Sequence, residues 1–196
     1  MLISYAGLAQ QPYDRGEFRL KLSLPYFNHF NARPEGIAPF EEFGFLGEAI
    51  GVQYAYRRQR FFEATFSLAS AAKQPLPFPI DHEGAYALPS SFYFGLTNNH
   101  ILRQFVVGYG LQYAENYYIF GFDSFDPDEQ HLVFRERKVN HTAGAMLNVY
   151  RRIGKTFSLG VIYRPSLLHF RHGIVRSCYE HQISLDLLWA FRLNDR

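Results

Sequence analysis

The 196-residue chain has one cysteine, Cys178, and four lysines, Lys21, Lys73, Lys138 and Lys155. A lone cysteine excludes an intramolecular disulfide and leaves the redox compartment open. No run of about 18 predominantly apolar residues occurs, so a helical membrane span is excluded. Charged residues make up only 19%, against roughly 25% in ordinary soluble domains. Mean hydropathy is nevertheless −0.20, so the 47% hydrophobic residues are interleaved with small polar ones. That apolar content also excludes a disordered chain. A formal net charge of +2, with basic residues in scattered pairs, gives no basis for a nucleic-acid partner.

What the chain does have is aromatics, 20 Phe, 14 Tyr and 1 Trp, set in a period-two pattern. Phe105, Val107, Tyr109, Leu111 and Tyr113 alternate with Gln104, Val106, Gly108, Gly110 and Gln112. Ile183, Leu185, Leu187, Trp189, Phe191 and Leu193 alternate with Ser184, Asp186, Leu188, Ala190 and Arg192. The same alternation marks strands around Glu17–Tyr26, Gly47–Tyr56, Phe62–Ala69, Ser91–Thr97 and Thr156–Arg164, and more weakly Thr142–Tyr150. The intervening connections alternate long and short: long near Phe27–Phe43, Ala72–Ser90, Glu115–Asn140 and His169–His181, short near Arg57–Arg60, Asn98–Leu102 and Arg151–Lys155. This layout predicts an all-β fold, an eight-stranded antiparallel up-and-down transmembrane barrel with short periplasmic turns and long extracellular loops. Asn98, Asn99 and Gly154 are the expected positive-φ residues of the short turns.

One face of each strand is large and apolar, while the other is Gly, Ala, Ser, Thr and Gln with few charges. A soluble barrel would have to show that second face to water, where many more charges are expected. With the large residues on lipid, Tyr26, Tyr54, Tyr56, Tyr113, Tyr163 and Trp189 become interfacial girdle residues. The inward polar set comprises Arg19, Lys21, Gln53, Glu63, Gln104, Gln112, Arg164, Asp186 and Arg192. An eight-stranded barrel is only wide enough for side chains to fill it. Arg19, Lys21, Glu63, Arg164, Asp186 and Arg192 are therefore expected to form a structural plug, with Asp186 between Arg164 and Arg19/Lys21.

The N-terminal MLISYAGLA, followed by QQPYD, has small residues Gly7 and Ala9 before a cleavage position after Ala9. Residues 1–16 are read as a signal-peptide-like segment and tail, and 17–196 as one barrel domain. Given the strand layout, the LAQQ segment and the alternating last strand ISLDLLWAFRL, the chain resembles the eight-stranded bacterial outer-membrane β-barrel proteins, in particular the small barrels of Bacteroidota. The resemblance implies a bacterial outer-membrane location with outer-membrane lipids, including lipopolysaccharide, as neighbours. Its members serve as anchors, adhesins, channels or lipid-modifying enzymes, so fold alone does not assign a role.

Chemical motifs are sparse. His29, His82, His131, His169, His172 and His181 fall in the long connections without zinc-site spacing, and are read as solvated. Asp123, Asp126, Asp128 and Glu129 lack an EF-hand pattern. His181 and Ser184 near Glu180 point to opposite strand faces and make no triad, and Cys178 has no activating partner in sequence. No cofactor is expected. Tyr117, Tyr118, Phe120, Phe122 and Phe125 place aromatics in the longest connection, either as a cap over the mouth formed by prolonged strands or as an interaction surface for an envelope partner. The resulting expectation is a non-enzymatic barrel acting through its extracellular end, with a lipid-modifying enzyme or a narrow solute channel as alternatives.

Overall fold

A computed structural model describes residues 13–72, 84–123, 134–171 and 174–193. Eight strands follow in order: β1 (Glu17–Ala32), β2 (Phe40–Arg57), β3 (Arg60–Ala72), β4 (Gly84–Leu102), β5 (Phe105–Asp123), β6 (Phe134–Arg152), β7 (Phe157–Arg171) and β8 (Ile174–Arg192). Each pairs antiparallel with its sequence neighbours, and β1 closes on β8 to complete the ring. A closed ring leaves no strand edge, a condition for crossing lipid, where an unpaired backbone group finds no water.

The alternation read from sequence holds through the bilayer region. Leu22, Ile50, Phe66, Phe94, Tyr109, Leu147, Val161 and Leu185 are exposed on the outer face, and Leu111 reaches 73% exposure. Lys21, Gln53, Arg164, Gln182 and Asp186 are fully buried within. Only an apolar solvent outside the ring makes this inversion stable, because apolar side chains are driven out of water and unpaired charges are costly to remove from it.

Two features depart from the sequence expectation. The strands outlast the alternating stretches, since β4 runs to Leu102 and β5 to Asp123. The β4–β5 turn is therefore Arg103–Gln104, with Arg103 at φ 56, so the expected turn at Asn98–Asn99 and the expected inward placement of Gln104 are both corrected. Asn99 instead lies buried in the barrel. Gly154 lies in the β6–β7 connection but is not at positive φ. The second departure is a set of register irregularities, two of which flank the β1–β2 seam. Register slips between Pro25 and Phe27 against β8, and between Phe45 and Gly47 against β3, where Leu46 takes φ 75. An extra residue in each strand switches which parity faces inward, so Asn28 and Phe30 are buried above the slip while Lys21 and Ser23 are buried below it. A single uninterrupted alternation puts Asn28 on the wrong face.

Backbones approach closely where side chains are absent. A Cβ at Gly144 would lie 1.9 Å from the Pro165 carbonyl oxygen, whereas one at Gly154 would meet nothing within 4 Å. Gly144→Val should therefore cost at least about 1–3 kcal/mol, the usual range for overpacking. It should shrink the heat-sensitive, fast-migrating folded band on detergent gels, and Gly154→Ala should leave that band unchanged.

Candidate functional site: a filled lumen under a charged rim

At the periplasmic end of the lumen, Glu63 of β3 is the hub. Its carboxylate accepts from Lys21 Nζ at 2.7 Å, Gln53 Nε2 at 2.8 Å and Thr65 Oγ1 at 2.8 Å. Gln53 in turn accepts from the Tyr13 hydroxyl at 2.8 Å, and the Tyr13 ring stacks on Phe61 at 4.8 Å under the Arg19 guanidinium. Burial pushes the Tyr13 phenol up to about 12, which keeps it a neutral donor at physiological pH. Tyr13 thus folds the segment before β1 into the barrel's lower opening.

The expected ion cluster is partly rearranged. Arg19 pairs with Glu17 and Lys21 with Glu63, while Asp186 accepts the Tyr150 hydroxyl at 2.7 Å. Among the described residues no ion pair joins Asp186 to Arg164, Arg19 or Lys21. Register explains this: Asp186 stands opposite Pro25 on β1 and Gly160 on β7, four residues along from Lys21 and Arg164 respectively. Arg192 is not in the lumen either. It lies exposed at the periplasmic mouth, pairing with Glu17 at 2.9 Å and Asp14 at 3.1 Å.

In the middle of the lumen Arg164 stacks over the Tyr93 ring at 4.7 Å. It donates to Gln182 Oε1 (3.2 Å), Ser184 Oγ (3.1 Å) and Ser67 Oγ (3.3 Å). Gln182 and Ser184 pass the network to Asn28 Oδ1 at 3.1 and 2.7 Å. The Asn28 amide then shares its hydrogens among the carbonyls of Pro25, Leu46 and Ser70, each 3.1 Å away. Asn28 thereby occupies backbone acceptors around the double bulge. Sequence reasoning missed it because it lies in a stretch read as loop. The available signal was Pro25, a strand proline whose missing N–H disturbs the ladder.

Toward the extracellular mouth Glu180 is buried among Asn116 Nδ2 (2.6 Å), the Tyr118 hydroxyl (3.0 Å), the Arg33 backbone N–H (3.3 Å) and His169 Nε2 (3.3 Å). Phe40 of β2 reaches Tyr118 and Phe120 of β5, with ring centroids 6.0 and 5.7 Å away. Tyr118 is therefore an inward residue of a prolonged strand, as the cap reading expects, and does not belong to a loop interaction surface. Phe120 is half-buried in the same contact, and Tyr117 lies on the other face beneath Arg137 (4.6 Å). Phe122 belongs to β5, and Phe125 lies outside the described residues. The histidines are also reassigned: His29 and His181 sit 5.9 Å apart on the outer face with Phe43 and Tyr163, and His169 faces Glu180. His82, His131 and His172 lie outside the described residues. Ser184 is locked to Asn28 inside while His181 is outside, so no hydrolytic triad assembles there.

At the top, the β1–β2 connection carries Glu35 over to three cations from three strands. Its carboxylate pairs with Arg171 and lies 3.5 Å from Arg176, and its carbonyl oxygen accepts from Lys138 Nζ at 3.1 Å. Arg171 and Arg176 remain 60% and 68% exposed.

The closed ring, the outward apolar band and the charged, filled lumen define an eight-stranded transmembrane β-barrel of the outer-membrane type. Comparison with solved structures agrees. The chain is similar to the attachment invasion locus protein Ail of Yersinia pestis, solved in complex with the heparin analogue sucrose octasulfate, at TM-score 0.51 and 10% identity, covering 91% of this chain and 100% of that one. It is also similar to Neisserial surface protein A at TM-score 0.51 and 11% identity, covering 89% and 97%. No protein-family profile and no curated sequence matches the chain.

Removing one partner of a buried pair strands the other charge, at a typical cost of about 3–5 kcal/mol. Lys21→Met should lower the unfolding free energy, read by urea titration in lipid vesicles, by that amount. Lys21→Met with Glu63→Gln should recover much of it. Equal loss in the single and double variants would remove Glu63 from its role as hub.

Proposed function

We propose that the protein is an integral outer-membrane barrel without enzymatic activity that works by binding at its extracellular rim, and that its partner there is an anionic surface glycan or lipopolysaccharide. The observation that carries this reading is the convergence of three cations on Glu35, Arg171 and Arg176 on its carboxylate and Lys138, which also pairs with Glu136, on its carbonyl oxygen. Positive charge exceeds negative in this group, and its two arginines are open to solvent. Guanidinium groups match phosphate and sulfate with paired hydrogen bonds. Ail, which shares the fold, was solved with a polysulfated ligand.

The lumen supports binding over transport. Among the described residues, a void beside Tyr13 and Arg152 and another beside Asn116 and Arg164 measure about 20 Å³ each, room for roughly one water. Catalysis has no support from the His181, Ser184 and Glu180 positions, which the strand divides between two faces.

Glu35 occupies the position an incoming anion would take and so competes with it. Arg171→Ala with Arg176→Ala should weaken binding of heparin-type polyanions and of lipopolysaccharide micelles by about threefold to tenfold, given the modest strength of exposed ion pairs. Glu35→Gln should strengthen it. The binding should fall as salt rises, because exposed charges are screened. Unchanged affinity in both variants, measured by titration calorimetry, would remove the rim from the function. Cross-linking in intact cells tests for an envelope protein at the same rim.

A further inference from the structure

The short periplasmic turns are strongly basic. The β2–β3 turn carries Arg57, Arg58 and Arg60, the β4–β5 turn Arg103, and the β6–β7 connection Arg151 and Lys155, all of them exposed. One pair stands where a sheet ordinarily avoids it: Arg57 is directly opposite Arg60 across the β2–β3 ladder, and opposed like charges destabilise a hairpin. The backbone also ties neighbouring turns together. The Ile101 N–H donates to the Gln59 carbonyl at 2.9 Å and the Arg152 N–H to the Gln104 carbonyl at 2.8 Å. Arg151 in turn stands opposite Phe105, two residues past Arg103. The cations therefore form an arc that runs from turn to turn along the barrel wall.

Little within the chain offsets this charge. Among the described residues the carboxylates at this end are those of Asp14 and Glu17, and Arg19 and Arg192 take them. No ion pair or side-chain hydrogen bond among the described residues engages the six turn cations. Their level in the membrane points to what could. Tyr56 and Phe62, on either side of the β2–β3 turn, stack at 4.8 Å, and Phe157, two residues past Lys155, packs on Trp189 at 5.2 Å. Such aromatic belts lie at headgroup depth, so side chains one or two residues beyond them reach the phosphates. Leu102 and Ile153, 58% and 49% exposed, are set among the cations, as suits a boundary with acyl chains better than a face turned wholly to water.

We infer that the basic turns are a binding surface for anionic phospholipid of the periplasmic leaflet, independent of the extracellular rim, with phosphodiester groups of the phosphatidylglycerol type bridging neighbouring guanidinium groups. Charge complementarity selects the headgroup. A zwitterionic lipid brings its own ammonium, whereas a phosphodiester without an internal cation leaves its full charge for the arginines. A phosphate between Arg57 and Arg60 also relieves their repulsion. The spread of cations along the wall follows the lipid around the barrel, where a soluble acidic protein would meet one compact patch.

The test is native mass spectrometry of the whole protein released from micelles doped equally with phosphatidylglycerol and phosphatidylethanolamine. Phosphatidylglycerol should be retained about tenfold over phosphatidylethanolamine, the ratio that one or two basic groups near an anionic surface supply. Arg57→Gln with Arg58→Gln and Arg60→Gln should cut that preference about threefold. Adding Arg103→Gln and Arg151→Gln should abolish it, while Arg171→Ala with Arg176→Ala at the rim should keep it. Folding of each variant is read from its gel mobility with and without heating. As a second readout, Arg60→Gln should raise the urea midpoint in phosphatidylcholine vesicles, where the opposed pair is unrelieved, and not in vesicles rich in phosphatidylglycerol. Equal retention of the two lipids by the wild type would overturn the proposal, as would a preference that survives in the folded five-substitution variant or vanishes in the rim variant. Polyglutamate bound by the rim variant as tightly in phosphatidylglycerol nanodiscs as in phosphatidylcholine ones would also overturn it and assign the turns to a soluble acidic partner.

Discussion

Everything in this protein depends on closing a ring of eight strands in a medium that offers no hydrogen bonds. Once β1 pairs with β8, the main chain needs nothing from the bilayer, and its outer surface is free to be as apolar as Leu111 and Phe66 make it. Closure also sets the interior. A ring of this size leaves only enough room for side chains, so each inward polar group must find its partner across the lumen. Glu63, Arg164 and Glu180 each meet that demand with neighbours from several strands.

The interruptions of the ring are where its chemistry is concentrated. Pro25 and the bulge at Leu46 break the β1–β2 ladder, and Asn28 covers the carbonyls around the break from inside. On the outside of the same break stands Glu48, with its apolar cavity. One irregularity thus has a polar solution on the lumen side, and on the lipid side a carboxylate that no hydrogen bond or ion pair engages among the described residues. The rim follows a different logic, since it is open to water: Glu35 gathers Lys138, Arg171 and Arg176 from three strands at little energetic cost.

Strand parity was legible because lipid and lumen impose opposite demands on alternate residues. Phe105 to Tyr113 and Ile183 to Phe191 carried that contrast without ambiguity. Parity failed where it was interrupted, at the Tyr26 and Leu46 bulges, which hid Asn28 in a supposed loop. Turn chemistry misled at Asn98–Asn99, because these amides serve as lumen and surface hydrogen-bonding groups while Arg103 takes the positive φ. The aromatics of the longest connection were visible as a group, but hydropathy left a cap on prolonged strands and a partner surface as alternatives, and only the burial of Tyr118 separates them.

By itself the sequence determined the number of strands, their up-and-down order, which residues face lipid along the uninterrupted stretches, and that a handful of charges must lie inside, since each follows from local alternation and connection length. Only the tertiary structure decided which charges meet. Asp186 was near Lys21 and Arg164 by composition and face, yet the barrel's register sets it four residues from the row of each and gives it Tyr150 instead. Pairing across a closed barrel depends on stagger summed over eight strands and on every bulge within them, a quantity that no single segment of the chain contains.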